Sequence, residues 1–275
     1  MLLFGITALF REAIPAAVYL MIIYGSIIFF QVTLCNIGKI NSFLTLTRDI
    51  IFPVVSVLII FDSLGLIVHS INPQDIDYIL IRADYLIFGT YPTVYLESFI
   101  YPPLTDVLQI AYSTYYFLPV TLGIVLKVRG EELAFEKSLF TLLLCFYLSY
   151  AGYMLFPALG PRYTMDHLQT VDLGGFLVSK PIQNVLNLLE GVKRDAFPSG
   201  HTGIALTVLF LSHNYARDLF RLMLVPVILL ILATVYCRYH YVVDVIGGML
   251  LTVVTILVGE VYYRFRTERD DGSSI

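Results

Sequence analysis

The stretch "FPSGHTGIALTVLFL", residues 197–211, runs from a polar turn straight into an apolar segment, and its reading decides the fold. Ser199 suits a helix N-cap, because its hydroxyl can accept from an amide of the first turn. Behind it the apolar residues extend far enough to enter a bilayer, and two more apolar runs follow at about 220–237 and 241–263. A chain that is 58% hydrophobic and only 14% charged, with a mean hydropathy of +0.80, lies far outside the range of soluble domains. It reads as an all-α integral membrane protein.

Apolar runs at about 13–34, 50–70, 104–127, 137–157 and 199–215 bring the expected spans to seven, with six as the alternative, since each needs about 20 apolar residues. The expected organisation is one polytopic helix bundle: N-terminal spans over 1–70, a second membrane unit over 71–264 and a polar, frayed tail over 265–275. The first run lacks a basic flank and a small-residue cleavage site, so it is kept as a helix. A net charge of −4 without a basic face excludes nucleic acid as a partner. Cys35, Cys145 and Cys237 have neither CxxC nor metal spacing and read as small core residues.

Lys39, Arg48, Lys127, Arg129, Lys137, Arg217, Arg221, Arg264, Arg266 and Arg269 fall in alternate loops, ten of the seventeen basic residues, which marks that side and the C-terminus as cytoplasmic. Most of the other seven cluster near the late motifs, on the side that then faces periplasm, exterior or lumen. Between the second and third spans, Asn72 as N-cap, Pro73 in the first turn and Gly89 at the end predict a helix over about 73–88. Ile76, Ile79, Leu80, Ala83, Leu86 and Ile87 share one face of it, with Asp77, Arg82 and Asp84 off that face. It is expected to lie in the membrane interface. The stretch from Pro157 to Pro198 is too long for a turn and reads as a functional or disordered loop. Asp166 and Asp172 sit in it as candidate gate residues.

Three stretches on the motif side carry chemistry. In "AFPSGHTG", Ser199 caps a helix whose first amides point outward, Gly200 lets an anion approach the backbone, and His201 sits in the first turn. In "TVYCRYHYVVDVIGG", residues 234–248, His240 and Asp244 are four apart, so on one helix the carboxylate can hold one imidazole nitrogen and leave the other free. In "FPALGPRYT", residues 156–164, Arg162 offers a guanidinium suited to phosphate. Lys193, Arg194 and Arg238 add positive charge nearby, whereas His69, His167 and His213 have no partner at useful spacing and read as interfacial.

"PSGH" followed by "HYVVDV" resembles the second and third signatures of the type 2 phosphatidic acid phosphatase superfamily, whose site is shared with vanadium haloperoxidases. The resemblance covers roughly residues 85–262. It implies that His240 attacks phosphorus, Asp244 orients it, His201 protonates the leaving group, and Ser199 and Gly200 bind phosphate oxygens. Two family positions are not met: Leu155 stands where the first signature has lysine, with Pro161-Arg162 for Arg-Pro, and Thr234 stands where the third has arginine. Arg238, one helical turn beyond Thr234, is expected to reach the vacated place, and Lys193 or Arg194 to replace the lysine. The same departures resemble the branch that includes inositol phosphorylceramide synthases.

The expected function is therefore cleavage of a membrane lipid phosphate ester or anhydride through a phosphohistidine, with neither cofactor nor metal, the acidic residues being dispersed. The acceptor is water, or an alcohol in a head-group transferase. A non-catalytic lipid binder or transporter is the alternative from another class; charges gathered at one end of the last helices favour an interfacial active site over a transport path.

Overall fold

The computed structural model describes residues 1–14, 16–37, 41–189 and 192–272, and its regular elements there are all helices. Lys39, counted above for orientation, and residues 273–275 of the expected tail lie outside them. Helices α1 (Leu2–Leu9), α2 (Ala17–Asn36) and α3 (Ser42–Leu64) form the N-terminal part. Asp77–Phe88 is α4, Pro102–Ser113 α5, Leu118–Val128 α6 and Glu132–Leu155 α7. Ser179–Leu189 is α8, Gly200–Tyr215 α9, Arg217–Tyr236 α10 and Val242–Gly272 α11, so the expected frayed tail continues the last helix.

Among the described residues, five helices, α2, α3, α7, α10 and α11, are long and apolar enough to cross a membrane. A sixth span is formed if α5, extended to Tyr116, and α6 are taken together across their 52° bend. Pro119 stands just after that bend, where its missing N–H costs no helical hydrogen bond. The expected span at 199–215 becomes α9, whose 16 residues rise about 24 Å. Its shortness is tolerated because protein surrounds it. Ile204, Val208 and Leu211 pack with Leu142 and Cys145 of α7 and with Met223, Val227 and Leu230 of α10. At the start of α9 the neighbouring helix comes closer still, since a Cβ on Gly248 would stand 2.5 Å from the Ser199 carbonyl oxygen and 2.8 Å from Thr202 Cβ. Only glycine permits this crossing.

The N-terminal helices join through a second core, in which Leu20 and Tyr24 of α2 meet Val57, Ile60 and Leu64 of α3, and α3 meets Tyr150 and Tyr153 of α7. Cys145 and Cys237 are buried as expected, whereas Cys35, near the end of the little-packed α2, is exposed.

Helix α4 corrects two expectations. It begins at Asp77, not Pro73, because Asn72 is turned to other work: its Nδ2 donates to the Leu155 carbonyl and its Oδ1 accepts from Gln74 N–H. Gly89 does end it, in the left-handed conformation at φ 67°. The buried face, however, is the carboxylate face. Asp77, Leu80 and Asp84 are buried, while Leu86 is 72% exposed. Asp77 accepts from the N–H groups of Leu159 and Gly160 at 2.9 Å each and from the Tyr241 hydroxyl at 2.8 Å. Seven residues on, Asp84 accepts from Val242 N–H at 3.0 Å and Val243 N–H at 2.9 Å, the free amides that open α11. An apolar exterior matches lipid, and buried carboxylates match unpaired amides, so the helix sits with its sequence-apolar side outward.

The loop from 157 to 198 holds more structure than expected. A short turn, Pro161–Thr164, is followed by α8, whose opening amides from Phe176 to Ser179 donate to Asp106 of α5. Asp166 and Asp172 are exposed. We expect Asp84→Ala to lower stability by about 1–3 kcal/mol, because two amides lose their acceptor in a buried place. Thermal unfolding in detergent measures it, and a variant as stable as the parent contradicts the assignment.

Candidate active site

The turn between α10 and α11 carries His240, and the start of α9 carries His201. His240 Nδ1 lies 2.9 Å from the Ala196 carbonyl oxygen and 3.4 Å from Asp244 Oδ2. A carbonyl oxygen can only accept, so Nδ1 holds the proton and Nε2 presents its lone pair. That lone pair faces His201 Nδ1 at 3.4 Å. Both rings are buried, and His201 Nε2 has no hydrogen-bond partner among the described residues. His240 and Asp244 do not share a helix face as the spacing suggested, because α11 begins only at Val242. Asp244 occupies its third position and accepts from the Tyr241 N–H at 2.8 Å, as the acidic member of a capping box does. The main acceptor for His240 is thus a backbone carbonyl, with the carboxylate second.

Burial pushes the His240 imidazole down to about 4, helped by the Arg162 charge and opposed by Asp195 and the Ala196 carbonyl. The neutral, nucleophilic form therefore prevails well below the ordinary histidine value of about 6.5.

Aromatic rings set the rest of the geometry. Tyr112 of α5 stacks on His201 at 4.4 Å and on Tyr239 at 4.2 Å, and Tyr115 closes on His201 from its own side at 4.2 Å. The Arg162 guanidinium lies 5.0 Å from the Tyr239 ring centre and 4.7 Å from that of Tyr163. A column of flat groups, His201, Tyr112, Tyr239 and Arg162, thus runs beside His240. Gly160 lets the Arg162 turn approach: it has φ 89°, and a Cβ there would meet the Tyr239 carbonyl oxygen at 2.5 Å. The Arg162 N–H then donates to the Arg238 carbonyl at 3.0 Å.

Ser199 caps α9 as expected, accepting from Thr202 N–H at 3.3 Å, and its own N–H donates to the Asp244 carbonyl at 3.0 Å. The space beside Gly200 is filled by the Tyr153 hydroxyl, which would stand 2.2 Å from a Cβ there. Arg238 departs from the expectation. The α10 helix ends at Tyr236 and Arg238 adopts φ 63°, so it shares no helix face with Thr234. Its Nη2 donates to Glu97 Oε1 at 2.8 Å and to the Val171 carbonyl at 2.6 Å, a neutralised setting rather than the vacated arginine position. Arg194 likewise turns to Asp75, with Nε donating at 2.8 Å. Lys193 is exposed and lies 5.8 Å from the Tyr163 ring that Arg162 also meets, which leaves it at the rim. His69 has a partner after all, Asp75 at 3.2 Å, and His213 packs edge-on to Phe220.

Behind the histidines opens a cavity of about 310 Å³, lined at one end by His201 and Asp195 and otherwise chiefly by apolar and aromatic side chains of α3, α6 and α7. Asp195, Tyr112, Tyr115 and Tyr239 are site residues that sequence reasoning passed over. Tyr239 and Asp195 adjoin residues it singled out, and the tyrosine-rich "AYSTYY" was the one available sign of the stack.

A family model described as the PAP2 superfamily matches residues 87–258. The match takes in Arg162, Ser199, Gly200, His201, His240 and Asp244 and leaves out α1, α2, α3 and most of α4, Asp77 and Asp84 among them. No curated protein and no solved structure matches the chain.

Two outcomes are expected. Tyr112→Leu should lower turnover about tenfold or more through the displaced His201 ring, and several-fold more than Tyr112→Phe, which keeps the ring; equal loss in both contradicts stacking as the cause. Second, an unfolded histidine takes up its proton near pH 6.5 and folded His240 only near 4, so stability should fall as pH drops through that window. Unfolding midpoints of the parent and His240→Asn, compared across it, should differ in slope by about one proton; parallel curves would falsify the assignment.

Proposed function

We propose, from the premise that the chain belongs to the PAP2 superfamily, that it is an integral-membrane phosphatase or phosphotransferase acting on a lipid phosphate ester or anhydride through a phosphohistidine. The observation that carries the reading is the Nδ1 proton of His240 given to the Ala196 carbonyl, which leaves Nε2 as a buried nucleophile facing a second imidazole. In the first step the Nε2 lone pair forms a bond to phosphorus and the bond from phosphorus to the leaving oxygen breaks, with His201 giving that oxygen its proton. In the second, His201 takes the proton of an incoming water or alcohol whose oxygen displaces Nε2. The Ala196 carbonyl and Asp244 steady the positive charge on the imidazole, and Arg162 neutralises the transferring phosphoryl oxygens.

The two nitrogens at 3.4 Å stand closer than this reaction allows, since nucleophile and phosphorus alone need about 3–3.5 Å and the leaving oxygen lies beyond. Substrate therefore parts the rings. His201 can slide between Tyr112 and Tyr115 without losing its stacking surface.

Arg48, Lys127, Arg129 and Arg217 lie at the end of the bundle away from the histidines, which supports a site facing periplasm, exterior or lumen and a cytoplasmic C-terminus. The resemblance to inositol phosphorylceramide synthases supports transfer to an alcohol as a second reading, with the same first step.

Purified protein given a lipid phosphate should release inorganic phosphate and, when quenched, carry an acid-labile phosphoryl group. His240→Ala should lose both, with turnover down about 10³-fold or more. Activity that survives this change contradicts the covalent mechanism, and product formed only when an alcohol is supplied assigns the transferase reaction.

A further inference from the structure

We infer that the cavity behind His201 is the site of a single hydrocarbon tail longer than one membrane leaflet, and that charged residues at its far end set the tail length accepted. The inference rests on the proposed reaction for the identity of the head group, and on the cavity itself for the tail.

Along α7 the lining runs from Tyr153, beside the histidines, to Phe135, a rise of about 27 Å at about 1.5 Å per residue. That is nearly the whole hydrocarbon thickness of about 30 Å, so a tail filling it passes the bilayer midplane. A volume of about 310 Å³ has room for a single chain and not for two side by side. The opposite wall is Ile50, Val54, Val57 and Phe61 of α3, a helix outside the matched residues 87–258. On the same wall Leu58 is 48% exposed, which gives the tail a lateral way in from lipid. The head end opens beside His201, which the proposed reaction sets against the phosphoryl group, and beside Asp195, while the body offers apolar surface to a tail.

The far end is closed by charge. A π-helical turn over Thr47–Ile51 carries Asp49, buried and lining the cavity. Its carboxylate meets Lys127 Nζ at 2.6 Å and accepts from Arg48 Nε at 2.6 Å, and the same lysine lies 4.4 Å over the Phe135 ring. A methyl terminus driven past Phe135 would push this ion cluster off its partners and leave a buried carboxylate uncompensated. Gly123 sits just above, where a Cβ would contact Phe135 Cε2 at 3.5 Å, so any side chain there fills the lower cavity.

The test is a series of single-tailed alkyl phosphates of increasing length, given to the parent, Gly123→Leu and Leu139→Trp. In the parent, kcat/KM should climb at least tenfold from tails shorter than a leaflet to tails that reach the floor, then level off or fall. Either variant should move the optimum to shorter tails and cut the long-to-short ratio at least fivefold. A flat series in the parent, or ratios unchanged in the folded variants, overturns the inference. Native mass spectrometry of His240→Ala with the same series reads tail binding without chemistry. Length-dependent binding without turnover by the parent would count against the reaction and leave the tail site standing; turnover without length dependence would do the reverse.

Discussion

The buried carboxylates that collect backbone N–H groups are what the rest of the molecule depends on. A site at the end of a membrane bundle is made of turns, and turns expose amides that lipid cannot satisfy. Here the stretch from α4 through α5 supplies the acceptors. Asp77 takes the amides before Arg162, Asp84 those that open the helix bearing Asp244, Glu97 the Thr170 amide together with the Arg238 guanidinium, and Asp106 the start of α8. Each places a segment of the site end against a rigid helix or turn. Such bonds are charge-assisted, and those of the buried Asp77 and Asp84 lie in surroundings of low dielectric, where an amide without a partner costs most.

This explains why some residues were legible and others were not. Apolar runs gave the membrane bundle because hydrocarbon thickness imposes a length on each span, and Ser199 gave the start of α9 because capping is local. The partnership of His240 with Ala196 was not legible, since it joins residues 44 apart through a carbonyl that every residue possesses. The face of α4 was misread for a related reason. Amphipathic patterning assumes that the apolar side turns to the core, and in a lipid setting the side with acceptors does so when free amides wait there. Arg238 was misread because one left-handed residue moved a guanidinium off the helix face on which its spacing was counted.

The basic residues divide by partner. Arg238 faces Glu97 and Arg194 faces Asp75, while Arg162 lies against the faces of Tyr163 and Tyr239. Tyr239 thereby links the arginine to the turn that carries His240, and Tyr112 links that turn to His201.

The contact between the two imidazoles has a consequence for the empty protein. With His240 Nε2 turned to His201 Nδ1 at 3.4 Å, the place that the proposed reaction gives to phosphorus is closed. A small anion entering alone must break that contact with nothing but its charge, whereas a ligand that also fills the apolar space beyond His201 brings a second source of free energy to the same opening. Under the proposed reaction the resting pair is thus a threshold, one that would discriminate by the size of what lies behind the head group rather than by the head group itself.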